Sequence, residues 1–112
     1  MARLTSRFLV DLLIRRATAA GGFATVLVHG DEQAGAILVQ CRDRGLVGPL
    51  LERRFLSAGH YLWEAVGPDS EQDSTDRDAY VERRKSADPD LWVIELDIAN
   101  APQLVAEWGL LA

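Results

Sequence analysis

The chain has one cysteine, one methionine and one lysine among 112 residues. A single thiol, Cys41, excludes an internal disulfide framework and any zinc site built from several cysteines. Long apolar runs are missing too. The stretch over residues 8–14 is broken by Asp11 and closed by Arg15-Arg16. A signal-peptide core needs roughly 7–15 uninterrupted apolar residues, and a membrane-spanning helix needs about 20. The N-terminal segment is therefore expected to belong to the fold, and the chain to be cytoplasmic, in keeping with one unpaired cysteine. Phosphate-cradling glycine motifs are absent. Gly21-Gly22 follows a predicted helix, whereas a nucleotide turn follows a strand and opens a helix. Neither a Gly-x-Ser-x-Gly elbow nor a His-Glu-x-x-His pair occurs.

What is present is ordinary globular material. Hydrophobic residues make up 48% and charged residues 26%, which argues against a disordered chain. The length predicts one domain over residues 1–112. The formal charge of −5 is unevenly spread. Residues 1–62 carry eight arginines and five acids, a net +3, and residues 63–112 carry four cations and twelve acids, a net −8. The net charge alone therefore does not exclude an anion-facing surface on the first half, nor neutralisation of one half by the other.

Residues 6–20 read as a helix, capped by Thr5 or Ser6 and stopped by Gly21-Gly22. Arg7, Asp11 and Arg15 form a charged stripe at i, i+4 and i+8. Phe8, Leu9, Leu12, Leu13 and Ile14 make the apolar face wide enough to be covered from more than one side. Residues 23–29 and 36–41 are β-rich runs around a polar, Gly-bounded loop, a hairpin signal. Both are apolar on both faces, which predicts central strands. A third strand over 46–56 contains Gly48-Pro49, the mark of a bulge or an edge, and a fourth covers 60–66. Thr75 opens a second helix, with acids in its first turn and Arg83, Arg84 and Lys85 in its last. Residues 91–98 form the clearest strand, and residues 98–112 a helical tail. The expected fold is α+β: a four-strand antiparallel meander plus a C-terminal strand, packed against an N-terminal helix. The second helix falls between strands four and five, with the helices on one face.

Several stretches have a familiar order and spacing: Arg3-Leu4 with Arg7-Phe8, Gly21-Gly22-Phe23-Ala24, Gly35-Ala36-Ile37-Leu38-Val39, and Asp88-Pro89-Asp90-Leu91-Trp92-Val93-Ile94-Glu95. Over residues 2–97 the chain resembles the alphaproteobacterial family catalogued as domain of unknown function 1491. Residues 42–65 and the tail from Ala99 depart from the pattern. The resemblance implies a bacterial protein and carries no activity with it. Asp88, Pro89, Asp90 and Trp92 are its signature residues, of unassigned role.

Candidate chemistry is sparse. Cys41 with His29 or His60 would need a thiolate stabilised by a cationic neighbour. His29, Asp31 and Glu32 offer imidazole and carboxylates, but at a loop that needs Gly30 and Asp31 as turn residues. The acids between Glu71 and Asp78 lack the spacing of a calcium loop. No metal and no cofactor is expected. Arg42, Arg44, Arg53 and Arg54 are the candidate anion-binding set, with Tyr61 and Trp63 as stacking surface. The net charge disfavours nucleic acid. Phe8, Leu12, Trp108, Leu110 and Leu111 are the candidate interface. The leading expectation is a non-enzymatic module that homodimerises or docks a protein, with no membrane partner. The alternatives are a weak RNA or polyanion binder and, third, a small enzyme using Cys41.

Overall fold

The structure is a computed structural model that describes residues 5–57, 60–68 and 74–110. Eight elements follow in order: α1 (Ser6–Ala19), β1 (Phe23–Val28), β2 (Ile37–Asp43), β3 (Leu46–Ser57), β4 (His60–Val66), α2 (Ser74–Ala87), β5 (Trp92–Asp97) and α3 (Ala101–Leu110). The strands form one mixed sheet, order β1-β5-β2-β3-β4. The fold is α+β, as the sequence predicts, with α1 at the N-terminus and α2 between β4 and β5.

The strand order corrects the meander. β2, β3 and β4 do run as an antiparallel meander. β1 and β2 do not pair: β5 lies between them, antiparallel to β1 and parallel to β2. The expected hairpin is split open to admit β5. Residues 30–35 form a loop that spans one strand spacing or two with equal ease, about 5 or 10 Å. The prediction that both runs are central holds for β2 and fails for β1, which is an edge strand.

Local chemistry explains the joints. Thr5 caps α1, its Oγ1 accepting from the Phe8 N–H at 3.1 Å. Arg44 (φ 53°) and Gly45 (φ 82°) make the two-residue β2–β3 turn, and positive φ at both positions suits the right-handed twist of a hairpin. Asp97 of β5 holds that turn by accepting from the Arg44 and Gly45 N–H groups at 2.7 and 3.1 Å. At Gly48-Pro49 the β2–β3 register slips, so this pair marks a bulge within an interior strand.

Successive residues of β2 divide two cores. Ile37, Val39 and Cys41 join Trp92, Ile94 and Leu96 beneath α1 (Leu9, Val10, Leu13, Ala17) and α3 (Ala101, Val105). Leu38 joins Leu50, Leu91 and Val93 beneath Tyr80 and Val81 of α2. The expectation of helices on one face is thus corrected. α1 and α3 share one face and α2 takes the other, because both sides of β2 and β5 are apolar and each must be covered. The wide apolar face of α1 is largely used within the chain, against the sheet and α3.

Candidate interaction surface

The sequence-predicted anion patch is not assembled. Arg42 forms an ion pair with Glu95 and also donates to the Gly45 carbonyl at 3.1 Å. Arg54 pairs with Glu64 at 3.2 Å. Arg53 lies over the Tyr61 ring, 4.1 Å from its centroid. Arg44 occupies the exposed β2–β3 turn. Arg42 sits opposite Val47, six residues along β3 from Arg53, which places the two pairs of arginines about 20 Å apart along the strand. Arg53 and Leu51 face α1 and α3, while Arg54 and Glu52 face α2. Trp63 packs against the core beneath α1 and α3 rather than forming an open stacking platform with Tyr61.

Cys41 is buried, and desolvation pushes its thiol up to about 12, with Arg77 acting in the opposite sense. It is protonated at neutral pH. His29 lies at the far end of the neighbouring strands, its ring tilted 46° against Trp92 with centroids 4.2 Å apart. No group of three or more His, Cys, Asp or Glu residues is placed to hold a metal ion among the described residues.

Asp88, Pro89, Asp90 and Trp92 form a structural joint. The Asp88 carboxylate accepts from the Asp90 N–H at 3.0 Å as α2 ends. The Asp90 carbonyl accepts from the Asp31 N–H at 3.0 Å, and the buried Trp92 donates its indole N–H to the Asp31 carbonyl at 2.7 Å. Loop 30–35 is clamped between this joint and the start of α1. Ser6 Oγ donates to the Gly35 carbonyl at 2.6 Å, and the Ser6 and Arg7 N–H groups donate to Gln33 and Glu32. The N-terminus of α1 is therefore occupied by the chain's own carbonyls.

Exposed apolar side chains occur away from the predicted interface, singly at Leu46 and Leu62 and grouped on β1. Of the predicted interface residues, Phe8 is 49% exposed and Leu12 is half-buried against the core. The side chains of Trp108 and Leu110, and the whole of Leu111, lie outside the described residues. β1 instead presents Phe23 at 77%, Leu27 at 52% and Val26 at 40% exposure. Val26 sits opposite Ile94 and faces the α1 side, while Phe23, opposite Asp97, faces the α2 side. β1 has no charged residue, and its outer edge pairs with no strand among the described residues. The sequence did contain the signal: a run apolar on both faces yet directly after a Gly-Gly turn. Nothing in it distinguished a buried strand from a bare one.

The sequence and this architecture together decide the relationship. A family model described as "Protein of unknown function (DUF1491)" matches residues 4–106. The chain belongs to the DUF1491 family. Solved structures agree with the assignment. A crystal structure of a DUF1491 family protein from Caulobacter crescentus CB15 is 36% identical, with a TM-score of 0.78, over 88% of this chain and 92% of that one. An NMR structure of a DUF1491 family protein from the same organism is 37% identical, with a TM-score of 0.74, over 90% and 91%. The solution structure of a protein from A. tumefaciens is 34% identical, with a TM-score of 0.66, over 88% and 89%. No curated protein matches the chain. The DUF1491 match extends past the expected limit at residue 97 into α3. Among the described residues, no helix of this DUF1491 protein is long and apolar enough to cross a membrane.

Proposed function

We propose that this DUF1491 protein is a non-enzymatic, cytoplasmic, single-domain interaction module that homodimerises through β1. One observation carries this reading: an edge strand without a charge or a proline, unpaired on its outer side among the described residues and bulged only between Val26 and Val28, with Phe23, Val26 and Leu27 exposed. Sheet edges in monomers are usually protected by such devices, since free N–H and C=O groups template pairing with another strand. A second β1 arriving antiparallel offers the same donors, acceptors and apolar side chains, so the contact is self-complementary about a two-fold axis. Six residues of strand pairing with these side chains bury on the order of 1,000 Å² in total, at the small end of specific interfaces, so a reversible dimer is expected.

Sedimentation equilibrium across concentration tests it. The wild type is expected to show a monomer–dimer equilibrium, and Thr25→Lys/Val26→Lys to remain monomeric while folded. A wild type that stays strictly monomeric at high concentration overturns the proposal.

A further inference from the structure

α2 turns a mixed stripe towards the sheet. Arg77, Tyr80, Val81 and Arg84, at i, i+3, i+4 and i+7, are its buried or half-buried residues, and its other described side chains are exposed. Two of the four are arginines. α1, by contrast, turns Leu9, Val10, Leu13 and Ala17 into the first core. α1 and α3 lie close along the strands, whereas α2 stands farther off, on the long side chains of its inner stripe.

What holds α2 down is mostly polar. Arg77 donates to the Gly48 carbonyl at the β3 bulge and to the Pro68 carbonyl at 3.4 Å. Arg84 makes two bonds to Glu52 of β3, 2.8 and 2.7 Å long. The Tyr80 ring lies against Gly67, where a Cβ would meet it at 2.9 Å. Beneath these contacts Leu38, Leu50, Leu91 and Val93 are buried. If α2 lifts, both guanidiniums and Glu52 regain water together, which costs far less than stranding one buried partner. Lifting bares one side of four apolar residues and leaves the larger first core shut. The C-terminal end of α2 is anchored: the Asp88 N–H donates to the Arg84 carbonyl, the Asp88 carboxylate accepts from the Asp90 N–H, and the Asp90 carbonyl accepts from the Asp31 N–H.

We propose that α2 is a latched strap, which swings off the sheet as one unit about the Asp88–Asp90 joint while α1, α3 and the five strands stay in place. Arg77 and Arg84 are the latches. The open form presents Leu38, Leu50, Leu91 and Val93 as an apolar face that the closed protein does not have. Elements with few buried apolar contacts open at lower free energy than the fold as a whole, and α2 contributes only Tyr80 and Val81, each half-buried, to the second core. The outer edge of β1 takes no part, so the strap stands whether or not β1 pairs with a second copy.

Native-state amide hydrogen exchange on the full chain, followed by NMR in low urea, tests the strap. The amides of Tyr80, Val81, Glu82, Arg83 and Arg84 are expected to share one opening, with little urea dependence, and to exchange roughly a hundredfold faster than those of Val39 and Ile94 in β2 and β5. Glu52→Gln removes the ion pair without changing α2, and is expected to speed the α2 amides by about tenfold. Val10→Ala loosens the first core. It is expected to speed Val39 and Ile94 by about tenfold or more and to leave the α2 amides within about twofold, because their opening does not pass through that core. Equal acceleration of both sets by Val10→Ala would show that α2 leaves only when the whole fold opens, and overturns the proposal. Rates that climb steadily towards Thr75 would show fraying rather than a unit, and α2 rates unmoved by Glu52→Gln would show that the ion pair is no latch; either result also overturns it.

Discussion

Cys41 and Gly35 show how little room single residues have here. Cys41 faces the core beneath α1 and α3, and burial moves its thiol from an ordinary 9.0 to about 12. Below pH 9 it is a thiol in both folded and unfolded chains. Above pH 9 the unfolded chain ionises first, so the folded state loses stability progressively as pH rises towards about 12. Cys41→Ala is expected to remove that slope from denaturation midpoints measured between pH 8 and 11. In the wild type at pH 8, alkylation is expected only as fast as the chain opens, with urea restoring the rate of a free thiol. An alkylation rate in native buffer equal to that of free cysteine would contradict the burial. Gly35 is limited by backbone: a Cβ there would collide with the Asp90 carbonyl oxygen, and Asp90 lies in the fixed joint before β5. Gly35→Ala is expected to destabilise by at least ~2 kcal/mol, as other overpacked interior sites do, read as a lowered melting temperature.

At the scale of elements, α2 is the informative case. Its sequence looks solvated: mostly polar, with Ala79, Tyr80 and Val81 as its apolar content. It nonetheless closes a second core, because Arg77 is buried and donates to the Gly48 carbonyl exposed by the β3 bulge. Arg84 makes two bonds to Glu52, at 2.8 and 2.7 Å, with Tyr80 Oη 3.0 Å away. The Glu52 hydrogen bond is the main cause raising the Arg84 guanidinium further above its ordinary value. A double-mutant cycle on Glu52→Gln and Arg84→Met is expected to give a coupling of about 1–2 kcal/mol, well above an exposed pair. A coupling near zero would show that α2 is held by Tyr80 and Val81 alone. Element types and most boundaries were legible in the sequence, since periodicity, caps and glycine stops are local. The insertion of β5 between β1 and β2 was not, because one loop serves both arrangements. Nor was the role of Arg77, whose partner is a backbone carbonyl freed by a bulge eight residues from the Gln40 beside it. The arginines of the expected patch were identified as residues, but their partners Glu95 and Glu64 are set by strand order and register, which patterning does not give.

For the whole molecule, the uneven charge of the two halves resolves across the fold. Three arginine–carboxylate pairs join the halves: Arg42 with Glu95, Arg54 with Glu64 and Arg84 with Glu52. Two of the four meander arginines are thus neutralised by the acidic half, and Arg53 is stacked on Tyr61. The surplus acid of the second half falls outside α2, whose four cations outnumber its three acids: residues 64–73 and 88–97 each carry four acids and no cation. A polyanion approaching the meander meets two pairs of arginines about 20 Å apart along the strands, with Arg53 on the opposite face from Arg42 and Arg54, and meets the field of a chain with net charge −5. Electrostatic binding to nucleic acid rests on several phosphates neutralised at once, and it strengthens steeply as salt falls. Filter retention of single-stranded RNA is therefore expected to stay at background even at about 20 mM salt, where a cooperating cationic patch binds most strongly. Retention that rises as salt is lowered and is lost in Arg42→Ala/Arg44→Ala would mean that these arginines leave their partners to act together, and would return the meander to consideration as a polyanion surface.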